Sequence, residues 1–96
     1  MDILNRVKTA LRLTTTTFDE AEVKPLIEAC KLDLELAGVV AIDEDDPLID
    51  RAIVLYAKAH FGNMEGAERF AEAYESLKIR LAFSEEYREG ANVDAG

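Results

Sequence analysis

Cysteine, histidine and tryptophan are scarce in this sequence of 96 residues, which has one cysteine, one histidine and no tryptophan. With Cys30 alone, no disulfide can form within the chain, which suits a protein made in a reducing cytoplasm. Cys30 falls on the apolar face of a predicted helix, so we expect it to pack in the core rather than react. His60 has no second histidine or cysteine nearby in sequence to complete a zinc site. We therefore expect no metal and no other cofactor.

Long hydrophobic runs are missing too. No stretch approaches the roughly 20 apolar residues that a helix needs to cross a bilayer. The N-terminal stretch carries Asp2, Arg6, Lys8 and Arg12 among its apolar positions, unlike a secretory signal. The sequence therefore predicts no membrane partner.

Positive charge is in short supply. The 11 lysine and arginine residues stand against 20 aspartate and glutamate residues, and the net charge is -9. Only the segment of residues 1–13 has a net positive charge, with three basic residues and one acidic residue. Proteins that wrap around nucleic acid need clustered lysine and arginine to neutralise phosphates. We therefore expect the chain to repel DNA.

Glycine and proline are few, with five and two residues, and 49% of the chain is hydrophobic. No alternating β-branched stretch is long enough to predict a strand, whereas runs of alanine, leucine, glutamate and lysine favour helix. A chain of this length has enough apolar surface for one core. We predict an all-α fold, a small bundle of about four helices over residues 1–83. Residues 84–96 should form a polar C-terminal tail that is mobile in the free subunit.

The first two helices are predicted from spacing and capping signals. The first covers about residues 2–12 and ends before the threonine run at residues 14–17, which disfavours helix. The second begins at Asp19, because Asp19 and Glu22 have the spacing of a capping box. Gly38 supplies its C-terminal cap. Pro25 either kinks this helix or occupies its first turn, and the sequence leaves both alternatives open.

The third and fourth helices have clearer boundaries. Asp46 as N-cap and Pro47 at the first helical position predict a third helix that runs to Phe61, where Gly62 with Asn63 can end it. The fourth covers about residues 65–83. Apolar residues at helical spacing on the last three helices should form the core. These predicted core residues are Leu26, Ile27, Cys30, Leu34, Ile53, Tyr56, Phe70, Tyr74 and Leu77.

One acidic cluster is the only candidate for a cation site. Residues 43–46 and Asp50 supply carboxylates, but the glycine and the terminal glutamate of an EF-hand loop are missing. We therefore interpret the cluster as a solvated, helix-capping loop. Gly62 and Gly66 form a GxxxG pattern, but it follows no strand and lacks the lysine of a phosphate loop. We therefore interpret it as a turn that connects two helices. No convergent acid, base and nucleophile appear, so we expect no catalytic residues and no enzyme activity.

Three stretches resemble a known family in order and spacing. They are PLIDRAIVLYAKAHFGN at residues 47–63, AERFAEAYESLKIRLAFSEEYR at residues 67–88 and LRLTTTTFDEAEVKPLIEACKLDL at residues 11–34. Together they resemble the head–tail connector proteins of tailed bacteriophages, also described as head-completion or DNA-packaging adaptor proteins. Most of these residues pack helices and none performs chemistry, so their joint order carries the resemblance.

The resemblance implies a structural subunit of the virion, made in the bacterial host cytoplasm from a phage or prophage. About twelve copies would form a ring at the head–tail junction, with the portal protein and neck or tail-completion proteins as partners. DNA would pass through the ring without sequence-specific binding. The candidate arm for docking on the portal or a neighbouring subunit is Ser84, Glu85, Glu86, Tyr87 and Arg88.

An alternative function is a small acidic helical protein-interaction module, or a regulator of phage or bacterial origin. A ring subunit needs two different complementary faces, whereas a regulator needs one binding patch. The sequence alone does not show such faces, so assembly is the property that separates the two hypotheses.

Overall fold

The computed structural model describes residues 2–11, 17–61 and 65–88, with the backbone alone for residues 17–20. These residues form five helices and no strand, which confirms the predicted all-α fold. The helices are α1 (Ile3–Ala10), α2 (Thr17–Ala37), α3 (Pro47–His60), α4 (Ala67–Phe83) and α5 (Glu85–Arg88).

The short α1 begins with a side-chain cap. The Asn5 backbone N–H donates to the Asp2 carboxylate at 2.9 Å, which satisfies one of the N–H groups that a helix leaves open at its start. Ile3 and Val7 are buried on the face that packs against α2 and α3. This apolar face holds the basic N-terminal segment on the bundle.

The predicted start of the second helix was wrong. The helix α2 begins at Thr17 and not at Asp19, so Pro25 lies inside it, eight residues after its first residue. Pro25 therefore does not occupy the first turn. Proline removes one backbone hydrogen bond from a helix interior. Tertiary packing outweighs that loss, because Val23 and Ile27 on either side of Pro25 are buried in the core.

The C-terminus of α2 has the glycine cap that the sequence predicts. Gly38 has φ +106°, and its N–H donates to the Glu35 carbonyl at 3.0 Å. The Val39 N–H donates to the Leu34 carbonyl at 2.9 Å, which completes a Schellman motif. Val39 is fully buried, so the motif turns the chain and anchors it at the same point.

Gly38→Ala should lower the free energy of unfolding by about 1 kcal/mol. The cost comes from the positive φ alone, because a Cβ at position 38 would meet no atom within 4 Å. Urea unfolding followed by circular dichroism measures the change. Gly38→Asn should cost less, since asparagine tolerates positive φ better than alanine. Equal stability of Gly38→Ala and wild type would contradict the argument.

The helix α3 is central, packing against α1, α2 and α4. Its start agrees with the prediction: the Asp46 carboxylate accepts from the Leu48 and Ile49 N–H groups at 2.8 and 3.3 Å. It ends at His60 with Phe61 as C-cap, and the predicted stop at Gly62 and Asn63 lies outside the described residues.

The helix α4 starts two residues later than predicted, after Gly66 as N-cap. It runs antiparallel to α3, because Lys58 lies over the Phe70 ring while the earlier residue Tyr56 contacts the later residue Tyr74. Of the predicted core residues, six are buried and three are half-buried. The buried ones are Ile27, Cys30, Leu34, Ile53, Tyr74 and Leu77, and the half-buried ones are Leu26, Tyr56 and Phe70.

Candidate docking surface at the C-terminal helix

The candidate docking residues form a short helix at the end of the described chain. Ser84 is the C-cap of α4, and its carbonyl accepts from the N–H groups of Tyr87 and Arg88 at 3.1 and 2.8 Å. These bonds turn the chain from α4 into α5. Residues 85–88, at the start of the predicted C-terminal tail, therefore form a helix that packs on the bundle. The rest of that tail, residues 89–96, lies outside the described residues, and its mobility in the free subunit stays a prediction.

Tyr87 attaches α5 to the link between α2 and α3. The Tyr87 carbonyl accepts from the Val40 and Ala41 N–H groups at 2.8 and 3.1 Å. The Tyr87 hydroxyl donates to the Asp46 carboxylate, whose oxygens lie 2.8 and 3.0 Å away. Burial and this hydrogen bond to a carboxylate raise the pKa of Tyr87 to about 12. Both the backbone carbonyl and the side-chain hydroxyl of Tyr87 therefore attach α5 to the rest of the bundle.

Asp46 joins two elements at one point. The same carboxylate that accepts from Tyr87 also caps α3, where negative charge is stabilised by the positive end of the helix dipole. Of the candidate arm, Glu85, Glu86 and Arg88 remain exposed to solvent. A partner that docks on α5 would meet these three charged side chains.

The predicted acidic loop is tied into the fold by basic residues and by capping. The Arg6 guanidinium donates to Asp50 at 2.8 Å and to the Glu44 carbonyl at 2.7 Å. The Glu44 carboxylate pairs with Lys31. The Asp43 carboxylate accepts from the backbone N–H two residues on, at 2.9 Å. These bonds attach the basic α1 to the acidic loop. The loop caps α3 through Asp46 as expected, but Glu44 and Asp50 are half-buried in ion pairs rather than fully solvated.

A second polar cluster joins α2 to α4. Asp33 accepts from the Tyr74 hydroxyl at 2.7 Å and from the Lys78 ammonium at 2.9 Å, and Glu75 lies 3.0 Å from the same ammonium. Burial opposes ionisation of Asp33, but the bonds from Lys78 and Tyr74 outweigh it, so the pKa of Asp33 is lowered. Burial raises the pKa of Tyr74 above its ordinary value, and the bond to Asp33 adds to the increase.

The cysteine and the histidine lie near this cluster in different surroundings. Cys30 is fully buried, 3.9 Å from the Tyr74 hydroxyl, and burial raises the pKa of its thiol to about 12. The thiol therefore stays protonated at neutral pH. His60 is exposed at the end of α3, with its ring centroid 4.3 Å from that of Tyr56. Within residues 2–11, 17–61 and 65–88, no three histidine, cysteine or acidic side chains are grouped to hold a metal.

Several large apolar side chains are exposed, and the sequence reasoning missed them. A detectable signal was present, because Leu32 and Leu36 recur at a spacing of four but fall outside the apolar face of α2. Such exposed side chains, when clustered, mark surfaces that bind other proteins. The exposed fractions are 60% for Leu32, 88% for Leu36, 56% for Val40, 44% for Leu48, 53% for Ile79 and 77% for Phe83.

The described residues form a helical bundle with a capped acidic loop and several exposed apolar side chains. The model of the phage connector protein family matches residues 3–88, which include all five helices. The chain belongs to this family of phage structural proteins. No curated protein and no solved structure shows a significant match to the chain.

Membership confirms the resemblance found in the sequence and indicates a component of the phage particle that interacts with other head or tail proteins. Among the described helices, none combines the length and apolar character needed to cross a membrane.

Proposed function

We propose that the chain is a subunit of a head–tail connector ring that docks beneath the portal and completes the head for tail attachment. The observation that supports this proposal is the family match across residues 3–88. About twelve copies would surround the channel, with neck or tail-completion proteins on the side away from the portal. The role is structural rather than catalytic, in keeping with the family.

The charge of the chain suits a channel through which DNA slides. A net charge of -9 repels phosphates, so the duplex would pass without sequence-specific binding. Exposed glutamates occur on several helices, including Glu28 on α2 and Glu72 and Glu75 on α4. A face of α2 or α4 that points into the channel would therefore present carboxylates to the DNA.

The docking arm of this proposal is the exposed side of α5. Tyr87 holds α5 against the loop before α3, which leaves Glu85 and Glu86 facing solvent. A preformed arm loses less conformational entropy on binding than a flexible one does. We expect these two carboxylates to meet basic groups of the portal or of a neighbouring subunit.

The test is light scattering of the cognate portal ring mixed with saturating protein. We expect a stable complex with about one copy per portal subunit. Glu85→Lys/Glu86→Lys should weaken this complex by about tenfold or more, because rim charge reversal creates repulsion where there was attraction. Tyr87 stays in place in this variant, so the fold keeps its attachment.

The matched control is Glu68→Lys/Glu72→Lys, which makes the same charge change on exposed positions of α4. It should bind the portal as wild type does. If the portal mass stays unchanged with saturating wild-type protein, the connector proposal fails, and an acidic protein-interaction module becomes the better account.

A further inference from the structure

One exposed face of α2 combines apolar and acidic side chains. Leu32 and Leu36 lie one turn apart on this face, with exposed fractions of 60% and 88%. Glu28 and Glu35 are exposed beside them. We name these four residues the α2 ridge. Adjacent exposed leucines form contiguous apolar surface, and such surface, when rimmed by polar residues, can mark a site that binds another protein.

A groove between α3 and α4 is also apolar but carries the opposite charge. It is an open groove of about 330 Å³. Its apolar lining includes Leu48, Leu55 and Leu77, while Arg51 and Arg80 supply positive charge. A smaller hollow of about 170 Å³ adjoins it and shares three of these residues. We name Leu48, Leu55, Leu77, Arg51 and Arg80 the α3–α4 groove. Leucines beside arginines would suit an apolar helix face flanked by acids.

The two arginines of the groove are available to a partner. Arg51 and Arg80 are exposed, and no ion pair within the described part of the chain involves either of them. Other cations do have acidic partners, such as Arg6 with Asp50 and Lys78 with Asp33. In a chain of net charge -9, two arginines at one apolar groove provide a local site for carboxylates.

The ridge and the groove belong to different faces of the molecule. α2 contacts α4 through Asp33, which bonds to Tyr74 and Lys78, whereas the groove is lined by residues of α3 and α4 and by none of α2. A molecule therefore cannot fill its own groove with its own ridge. A second copy can, and every copy would then use both faces, as a head-to-tail contact requires.

We propose that the α2 ridge of one copy docks in the α3–α4 groove of the next copy. Leu32 and Leu36 insert between the groove leucines, and Glu28 and Glu35 face Arg51 and Arg80. This is the helix-in-groove mode of recognition, in which apolar anchors at a spacing of four supply contact area and flanking charges set the register. The inference rests on the proposed ring and names the surfaces that join its subunits.

The test uses one variant for each face, studied by sedimentation velocity up to about 1 mM protein, a range that detects weak contacts. Wild type should associate in a concentration-dependent way. Leu32→Ser/Leu36→Ser alters only the ridge, and Arg51→Glu/Arg80→Glu alters only the groove. Each variant alone should associate at least about tenfold more weakly than wild type.

Mixing the two variants gives the sharpest result. The ridge variant keeps an intact groove and the groove variant keeps an intact ridge, so the mixture should form a one-to-one dimer and nothing larger. Wild type should form larger species, because each of its copies has both faces. A mixture that stays monomeric while wild type associates would overturn the proposal, and so would wild type that remains monomeric at the highest concentration.

Two matched controls separate this contact from general adhesion. Ile79→Ser/Phe83→Ser removes an exposed apolar pair with the same spacing from α4, and Arg69→Glu reverses an exposed charge that does not line the groove. Both should associate as wild type does. If the α4 pair weakens association as much as the ridge pair, nonspecific apolar contact explains the result and the proposal fails.

The portal experiment distinguishes failure of this inference from failure of the proposed function. If the ridge and groove variants bind the portal with full occupancy and unchanged affinity, the ridge-to-groove contact is wrong and the connector role stands. Self-association through ridge and groove, without any binding to the portal, would support the inference and overturn the connector role. Unchanged far-ultraviolet circular dichroism would show that each variant is folded.

Discussion

Ile53→Ala should lower the free energy of unfolding by about 3 kcal/mol, because it opens a cavity in the middle of the core. Ile53 is fully buried on α3, the helix that packs against α1, α2 and α4. The side chain is thus surrounded by elements that cannot all move inward to fill the space. A domain of this size has a total stability of roughly 5 to 14 kcal/mol, so the loss is a large share of it.

Urea unfolding followed by circular dichroism measures this loss. With a slope of about 1.5 kcal/mol per molar urea, the midpoint should fall by about 2 M. The matched control is Ile79→Ala, which removes the same atoms from a side chain that is 53% exposed on α4. It should change stability by at most about 0.5 kcal/mol. Similar losses in both variants would show that Ile53 is not at the centre of the core.

Asp33→Ala should cost about 2 kcal/mol, because it removes the shared acceptor of a nearly buried hydroxyl and an ammonium. Tyr74 is 2% exposed, and its hydroxyl would keep only the weak contact with the Cys30 sulfur, 3.9 Å away. The Asp33 side chain itself is 36% exposed, so solvent screens its charge and keeps the loss moderate. Thermal or urea unfolding at neutral pH measures the effect.

Two further variants test whether Asp33, Tyr74 and Lys78 act together. Glu75→Ala removes only an exposed partner of Lys78, one turn away, and should cost about 0.5 kcal/mol or less. The double variant Asp33→Ala/Tyr74→Phe should lose less than the sum of the two single variants, since the second change removes the hydroxyl that the first left unpaired. Strict additivity would contradict the shared network.

The cost of Asp33→Ala should depend on pH in a defined direction. The folded state lowers the pKa of Asp33 below its ordinary value of 3.8, through Lys78 and Tyr74 against the opposing effect of burial. A lowered pKa contributes stability that is complete above the unfolded value and is lost as the pH falls through the folded value. The difference between wild type and Asp33→Ala should therefore be constant near neutral pH and shrink below about pH 4.

Local signals in the sequence were sufficient for much of the fold. The cap at Asp46 with Pro47 and the glycine at position 38 each act through bonds within a few residues, and the structure places both as expected. The start of α2 was wrong for a related reason. The capping-box spacing at Asp19 is a local preference, whereas the helix begins two residues earlier, at Thr17. It continues through Pro25, where the flanking Val23 and Ile27 pack in the core.

For the candidate site, too, some features follow from the sequence and others only from tertiary contacts. Membership of a phage connector family was recognisable from the order of helical motifs, and the family match confirms it. The candidate docking arm was predicted from the sequence as a segment, and its docking stays a prediction. Its shape depends on the bond from Tyr87 to Asp46, 41 positions apart in the chain. No local pattern predicts a contact at that separation.

The sequence by itself determined the helical class, most helix ends and the acidic character, because propensity, capping and charge are properties of neighbouring residues and of composition. Only the tertiary structure decided that α5 attaches to the cap of α3 and that Arg51 and Arg80 lie beside an apolar groove. It also decided that Leu32 and Leu36 stay exposed. These features depend on which helix faces remain uncovered once the others have packed together, and packing joins residues that are distant in the chain.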